Sequence, residues 1–456
     1  MLTYELKKAP GVPLYEALYR CVRADILSGV LKPGEKLPSK RALAANLEVS
    51  KITVEGAYEQ LLAEGYIRAR EKVGYFVEAV ERAEPKALPV SSEQQTPNQT
   101  YDIDLTANGS TGFPFSVWSR LQREVMLDLG HELLLPLPNQ GLWALRHAIA
   151  EHLAGFRGMQ VRPENILIGA GTDFLYNLLI QLLGRDKIYA VEEPGYNKIR
   201  RIYSANEVRC IGATLDSQGV LPSALGNAHV LHISPSHHFP TGLVTPMGRR
   251  LELLQWAGSD PDRYIIEDDY DSEFRFDAHP MPTMASLDRS GRVIYMNTFS
   301  KSLAPSIRIS YMVLPDPLAE RFRHDLGFYS CTVSSFEQYT LERFLRRGFF
   351  EKHINRMRKA YKARRNQVVA ALRECPFAQK LTILEQDAGL HFLLKVATDL
   401  DDDALAAYCA KRGIRIRPLS SYYHGPVPET DRHCLVVNYS GLRDDRLELL
   451  KNKLQA

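Results

Sequence analysis

The chain lacks the features that place a protein outside the cell or in a membrane. Its six cysteines are scattered, with no Cys-x-x-Cys pair among them. That spacing excludes a zinc ribbon and a disulfide framework, and it fits a reducing compartment. No apolar run reaches the ~20 residues that a bilayer demands. The opening stretch "MLTYELKKAPGVPLY" has no apolar signal core. The expectation is a cytoplasmic protein with no membrane contact. Charge of one sign is also missing: 57 Lys and Arg against 54 Asp and Glu leave a net +3. Any nucleic-acid contact must therefore come from a local patch. There is no internal repeat. At 456 residues there is room for two or three domains.

What is present falls into three parts. Residues 12–78 form a compact, periodic block. "PLYEALYRCVRADILSG" has apolar residues at helical spacing and stops at Gly29. Ser39 caps a short helix in "SKRALAANLEVS", and Ser50 caps another that ends at Gly65. "YIRAREKVGYFV" alternates around "EKVG" and predicts a hairpin. Helix, helix, turn, helix, hairpin is the order of a winged helix-turn-helix. The last helix of that series would enter a major groove with Ser50, Lys51 and Thr53 leading. Ser39, Lys40 and Arg41 open the preceding helix, where N–H groups and cations hold phosphate. Arg68, Arg70 and Lys72 lie in the wing.

Residues 79–100, "AVERAEPKALPVSSEQQTPNQT", are polar and rich in Pro, Ser and Gln, and read as a linker. From 101 to 456, helical patterns alternate with short apolar runs: "NILIGA", "KIYAVEE", "HVLHIS", "YIIEDD", "RVIYMN" and "YMVL". This predicts an α/β domain around a mostly parallel sheet.

In "NTFSKSLAPSIR", Lys301 stands among Thr298, Ser300 and Ser302, with Arg308 seven residues on. A lysine that forms a Schiff base needs an aldehyde partner. Hydroxyls and an arginine suit a phosphate on that partner. The same stretch alone also fits a polar surface loop. Four other stretches extend the constellation. "YIIEDDYDSEF" runs from a strand into Asp268 and Tyr270. A carboxylate there can pair with a protonated pyridine nitrogen, and Tyr270 can reach a ring oxygen. "ILIGAGTDFLYNLL" places Gly171 and Thr172 at a helix start, an anion site. "EEPGYNKIR" offers Tyr196 as a stacking ring. "SPSHHFPTG" places His237 and His238 before a turn, where a side chain can reach the cofactor. No metal is expected there, because no acidic residue is near them in sequence.

The N-terminal block resembles the GntR-type DNA-binding domain through "G…L.PG.KLPS.R.LA..L.VS..TV..AY..L..EG.I". Its wing tip, Lys72-Val73-Gly74, departs from the family's Gly-Ser/Thr-Gly. The order Gly-Thr turn, Pro-Gly-Tyr, Pro-Thr-Gly, Asp-Asp-Tyr, Ser-Lys…Arg resembles fold-type I aminotransferases. Together the two resemble the MocR-type regulators over nearly the whole chain. The resemblance implies pyridoxal 5'-phosphate on Lys301 and Asp268 at the pyridine nitrogen. It implies Tyr270 at the 3-oxygen and Tyr196 stacked on the ring. Arg308, Thr298, Gly171 and Thr172 would hold the phosphate, with Ser300 and His238 beside the cofactor. It also implies a smaller C-terminal α/β subdomain and a homodimer with exchanged DNA-binding domains. Phe239 replaces the asparagine that aminotransferases usually place before Pro-Thr-Gly. "CLVVNYSGL" lacks the arginine that usually clamps a substrate carboxylate, so Arg415 and Arg417 in "GIRIRPLSSYYH" are the candidates, expected on one strand face.

The expected function is a pyridoxal-phosphate-dependent transcription regulator that binds operator DNA and senses an amine, an amino acid or the cofactor itself. The alternatives are an active aminotransferase with an appended DNA-binding domain, and a DNA-binding protein whose large domain only dimerises. The basic stretch "RFLRRGFFEKHINRMRKAYKARRNQ" reads as a solvated helix face, with Arg364 and Arg365 as possible phosphate contacts.

Overall fold

The structure, a computed structural model, describes residues 2–4, 6, 13–80, 101–107, 109, 112–274, 281–384 and 389–455. Nearly all of the expected linker, residues 81–100, lies outside the described residues. The chain divides into two units, Met1–Asn98 and Gln99–Ala456.

The first unit has three helices, α1 (Leu14–Ser28), α2 (Lys40–Asn46) and α3 (Lys51–Ala63). Two strands follow, β1 (Ile67–Arg70) and β2 (Gly74–Val77). Gly29 ends α1 at φ 77, a left-handed turn that costs glycine nothing. The Ser39 and Ser50 hydroxyls accept the N–H groups of Ala42 and Thr53, as capping residues do. Leu18, Val22, Leu43, Val54, Ala57, Tyr58 and Leu61 are fully buried and form one core. β1 and β2 pair antiparallel from Ile67↔Val77 to Arg70↔Gly74. Lys72 takes φ 58 at the tip, a conformation that non-glycine residues seldom adopt.

The second unit is built on an eight-stranded sheet. In chain order its elements begin with β3 (Ile166–Gly169), α4 (Thr172–Leu183), β4 (Tyr189–Glu193) and β5 (Cys210–Asp216). They continue with β6 (Gly219–Val220), β7 (Val230–Ile233), β8 (Tyr264–Asp268), β9 (Val293–Thr298) and β10 (Ser310–Val313). The spatial order is β3-β10-β9-β8-β7-β4-β5-β6. The run β9-β8-β7-β4-β5 is parallel, and β10 and β6 run against it. All six apolar runs read from the sequence form strands here. Strands β3, β7 and β10 are buried along their whole length, because helices cover both faces. The C-terminal ends of β3, β4, β7, β8 and β9 lie along one sheet edge, where open α/β sheets bind ligands.

A smaller four-stranded antiparallel sheet completes the unit. It follows the long helix α5 (Phe349–Glu374) and contains β11 (Leu381–Leu384), β12 (His391–Val396), β13 (Arg417–Pro418) and β14 (Cys434–Asn438). Their order is β11-β12-β14-β13. Among the described residues, no helix is long and apolar enough to cross a membrane.

The basic stretch on α5 is not a solvated DNA-facing surface at Arg364 and Arg365. Both side chains are buried. Arg364 donates to the Ser440 carbonyl at 3.3 Å and pairs with Asp444 at 3.5 Å. The charge pattern misleads because the Arg364 guanidinium finds partners on the chain's C-terminal segment, while Arg365 bonds Asn366 beside it at 3.2 Å. Arg364→Ala is expected to cost about 1–3 kcal/mol of stability in urea unfolding. The salt dependence of DNA binding should stay unchanged.

Candidate functional site

Lys301 is carried on a four-residue helical turn, Phe299–Ser302, directly after β9. Thr298 caps that turn: its Oγ1 accepts the Ser300 N–H at 3.1 Å and the Ser310 hydroxyl at 2.8 Å. Thr298 thus serves to fix the turn, rather than presenting a free hydroxyl. Phe299 and Ser302 are buried, so the lysine leaves a rigid base. Burial disfavours its ammonium and lowers its pKa to about 8. The Asp271 carboxylate opposes that shift.

Asp268 ends β8. Its Oδ2 accepts the Tyr176 hydroxyl at 2.5 Å. His232 Nε2 stands 3.7 Å from the same oxygen, and Tyr203 holds the other side of that imidazole at 2.7 Å. Asp268 Oδ1 is buried with no hydrogen-bond partner among the described residues. A buried carboxylate oxygen left open in this way demands a donor. A protonated pyridine nitrogen is one.

Across the edge, Gly171 (φ 92) opens α4. Arg308, itself at φ 51, packs against it. A side chain on Gly171 would be strained at this φ, and its Cβ, 2.1 Å from Arg308 Nη2, would displace the guanidinium. Arg308 donates weakly to Ala170 O at 3.4 Å and lies 3.5 Å from Asp173 Oδ2. Asp173 turns sideways to pair with Lys198 at 2.5 Å. The free N–H groups of the first turn of α4 and the Arg308 guanidinium form a cradle for an anion such as phosphate.

Aromatic and imidazole groups supply the walls. Tyr196 is half exposed, edge-on to Phe239 with ring centroids 5.8 Å apart. The Tyr270 hydroxyl is 3.3 Å from His237 Nδ1, and that nitrogen is 2.8 Å from Asp271 Oδ2. His391 on β12 packs on His237 with centroids 4.6 Å apart. His238 turns to its own loop, 2.7 Å from Thr241 Oγ1 and 3.6 Å from Glu192. Burial lowers its pKa to about 3, so its ring is neutral. The fold thus brings an acid to each histidine of the pair, Asp271 and Glu192, although none is near in sequence.

Arg415 and Arg417 pair with different strands. Arg415 belongs to a two-residue strand that pairs with Ile103–Asp104, and it reaches Asp104 at 3.4 Å. Arg417 lies on β13 directly opposite Val436 of β14. Its guanidinium lies against the Tyr422 hydroxyl and near Tyr196, working against the burial that raises both phenols. β14 lacks an arginine of its own, and Arg417 on the neighbouring strand stands beside the same wall as Tyr196.

Sequence reading missed Tyr176, His232, Asp271 and His391. A histidine inside the apolar strand "HVLHIS" was the one available signal. The others depend on contacts between distant segments.

In the first unit, Ser39 and Ser50 cap the two helices, and Thr53 Oγ1 lies 2.8 Å from Ser50 Oγ. Arg41, Lys51, Arg70 and Lys72 are exposed. Lys40 is held by Glu55 at 2.7 Å, and Arg68 by Glu78 at 2.9 Å.

Residues 101–452 match the family "Aminotransferase class I and II", and residues 14–77 match "Bacterial regulatory proteins, gntR family". The class is therefore a gntR-type DNA-binding unit joined to a fold-type I aminotransferase unit. The chain is 37% identical over 464 residues to the uncharacterized HTH-type transcriptional regulator YdeL of Bacillus subtilis (strain 168), covering 100% of this chain and 99% of that one. It is 33% identical over 464 residues to the probable rhizopine catabolism regulatory protein MocR of Rhizobium meliloti, covering 96% and 92%. A crystal structure of kynurenine aminotransferase from Pyrococcus horikoshii, in complex with PMP, aligns at a TM-score of 0.67 and 26% identity, covering 78% of this chain and 91% of that one. The chain belongs to the MocR-type family of GntR transcriptional regulators with an aminotransferase-like domain.

The depressed Lys301 pKa predicts a measurable reactivity. An amine-acylating reagent, followed by peptide mapping, should modify Lys301 with a midpoint near pH 8, well below the ~10.4 of an ordinary lysine. Because the Asp271 charge raises that pKa, Asp271→Asn should move the midpoint lower still.

Proposed function

We propose that this regulator holds pyridoxal 5'-phosphate on Lys301 and reports an amino-acid or amine effector to operator DNA. The buried Asp268 Oδ1, without a partner among the described residues while Tyr176 holds Oδ2, is the observation that carries this reading. When bound, pyridoxal phosphate supplies an aldehyde that amines condense with, on a ring that takes up electrons. The residues of the chain divide the rest. Lys301 presents an amine that is neutral in a useful fraction at neutral pH. Asp268 accepts the hydrogen bond of the ring nitrogen and keeps a proton there. Tyr270 donates to the 3-oxygen, and Tyr196 covers the ring. Gly171, Thr172, Ser300 and Arg308 bind phosphate, with Thr298 holding the turn. His238, neutral and buried, shapes the wall behind.

Arg417 reads the effector carboxylate, and Arg415 does not, because Asp104 already holds it. The domains divide as 12–78 for DNA, 79–100 as linker and 101–456 as sensor. Ser39, Arg41, Ser50, Lys51, Thr53, Arg70 and Lys72 meet the DNA. The protein works in the cytoplasm as a homodimer with exchanged DNA-binding domains. Exposed apolar side chains at Phe115, Leu127, Leu134 and Leu135 support a paired face on the sensor.

Coupling requires that the effector bind one arrangement of the protein better than another. The test is absorbance with added pyridoxal phosphate. Wild type is expected to gain a visible band that Lys301→Ala lacks, and Gly171→Ala to need at least about tenfold more cofactor, the factor in 1.4 kcal/mol. No band in wild type overturns the proposal. An amino acid that perturbs the band should need about 10- to 100-fold higher concentration in Arg417→Ala, the worth of a charged hydrogen bond. Arg415→Ala should behave as wild type. Sustained turnover with an oxo-acid would make the protein an aminotransferase instead.

A further inference from the structure

A side chain that reads a base must leave the first unit at the start of α3. Most polar groups there are already engaged. Ser50 Oγ accepts the Thr53 N–H at 3.1 Å and lies 2.8 Å from the Thr53 hydroxyl. Lys40 is held by Glu55 at 2.7 Å and lies over the Tyr75 ring. That ion pair also ties the start of α2 to the first turns of α3. Two consecutive side chains, Lys51 and Ile52, are left facing outward.

Ile52 is 80% exposed, the highest value among the large apolar residues described in this chain. Local structure gives no reason for it. Isoleucine caps nothing, its β-branch makes it an indifferent helix former, and here it buries nothing. Its surroundings do not suit an apolar protein partner. Lys51 adjoins it, Arg41 opens the tethered helix, and the first-turn N–H groups of α3 carry partial positive charge. This combination fits a duplex. In the major groove a duplex offers one apolar group, the thymine 5-methyl.

We infer that Ile52 reads a thymine in each half-site by packing on its 5-methyl group, while Lys51 beside it supplies the electrostatic part of binding. This rests on the DNA-binding reading of the first unit and adds the base it selects. Ser50 and Thr53 then position the helix, and sequence discrimination falls on an apolar contact.

The test uses the full-length protein and a duplex selected by it from a random library. Each thymine is replaced singly by deoxyuridine, which removes only the methyl. Wild type should lose about fourfold in affinity at one position per half-site, the worth of one methyl withdrawn from water. Ile52→Ala should bind more weakly by a similar factor and be indifferent to uridine at that position. Ile52→Val keeps the branched apolar surface and should keep the uridine penalty. The slope of affinity against salt should be unchanged in Ile52→Ala and reduced by about one in Lys51→Ala. All three variants are at exposed positions and should melt as wild type does. A wild type indifferent to uridine everywhere, with its sequence preference intact, overturns the role of Ile52 and leaves DNA binding standing. A selection that yields no preferred sequence overturns the DNA-binding reading itself.

Discussion

Lys301 holds its proton less tightly than a surface lysine because burial at the end of β9 strips water from the ammonium. Asp271 restores part of that affinity. This balance between desolvation and one carboxylate sets the chemistry of the larger unit. It depends in turn on the parallel sheet, whose strands end side by side and deliver Asp268 and the lysine turn to one edge. A lysine on a flexible loop would stay hydrated and charged. Here the Thr298 cap and the buried Phe299 hold the turn that carries the amine.

Around that amine the site uses polar groups in pairs. One oxygen of Asp268 is fixed by Tyr176 and the other is left open. One side of His232 is fixed by Tyr203 and the other faces Asp268. Asp271 and Tyr270 both meet Nδ1 of His237, and its Nε2 has no partner among the described residues. In each pair, one contact orients the group and the other is left available. Buried polar atoms without partners are costly, so a set of them at one sheet edge is the mark of a site whose last partner is a ligand. The first unit works differently. Its polar side chains at the start of α3 are spent on caps and an ion pair, and its outward surface is one cation and one apolar group.

The sequence disclosed what is local. Ser39, Ser50 and Gly29 mark helix ends through contacts within a few residues, and the structure has each of them. The six apolar runs formed strands because a sheet covered on both faces admits little else. Lys301 and Arg308 were legible because they share one turn and its continuation. What stayed hidden depends on distance along the chain. Tyr176 meets Asp268 across 92 residues. Strand alternation could not tell Arg415 from Arg417: the first meets Asp104 some 310 residues earlier in the chain, and the second meets Tyr422. Arg364 reads as solvated in a basic helix because its partners, Ser440 and Asp444, lie some 80 residues on. No periodicity shows such a contact.

The central claim is that chemistry at Lys301 and DNA affinity are coupled. The most direct measurement is the affinity of full-length protein, loaded with pyridoxal phosphate, for a selected duplex as an amino-acid effector is added. The account predicts a change of about fivefold or more, the lower end of ordinary allosteric coupling, absent in Lys301→Ala. Identical titrations with and without every amine that perturbs the cofactor band would contradict it.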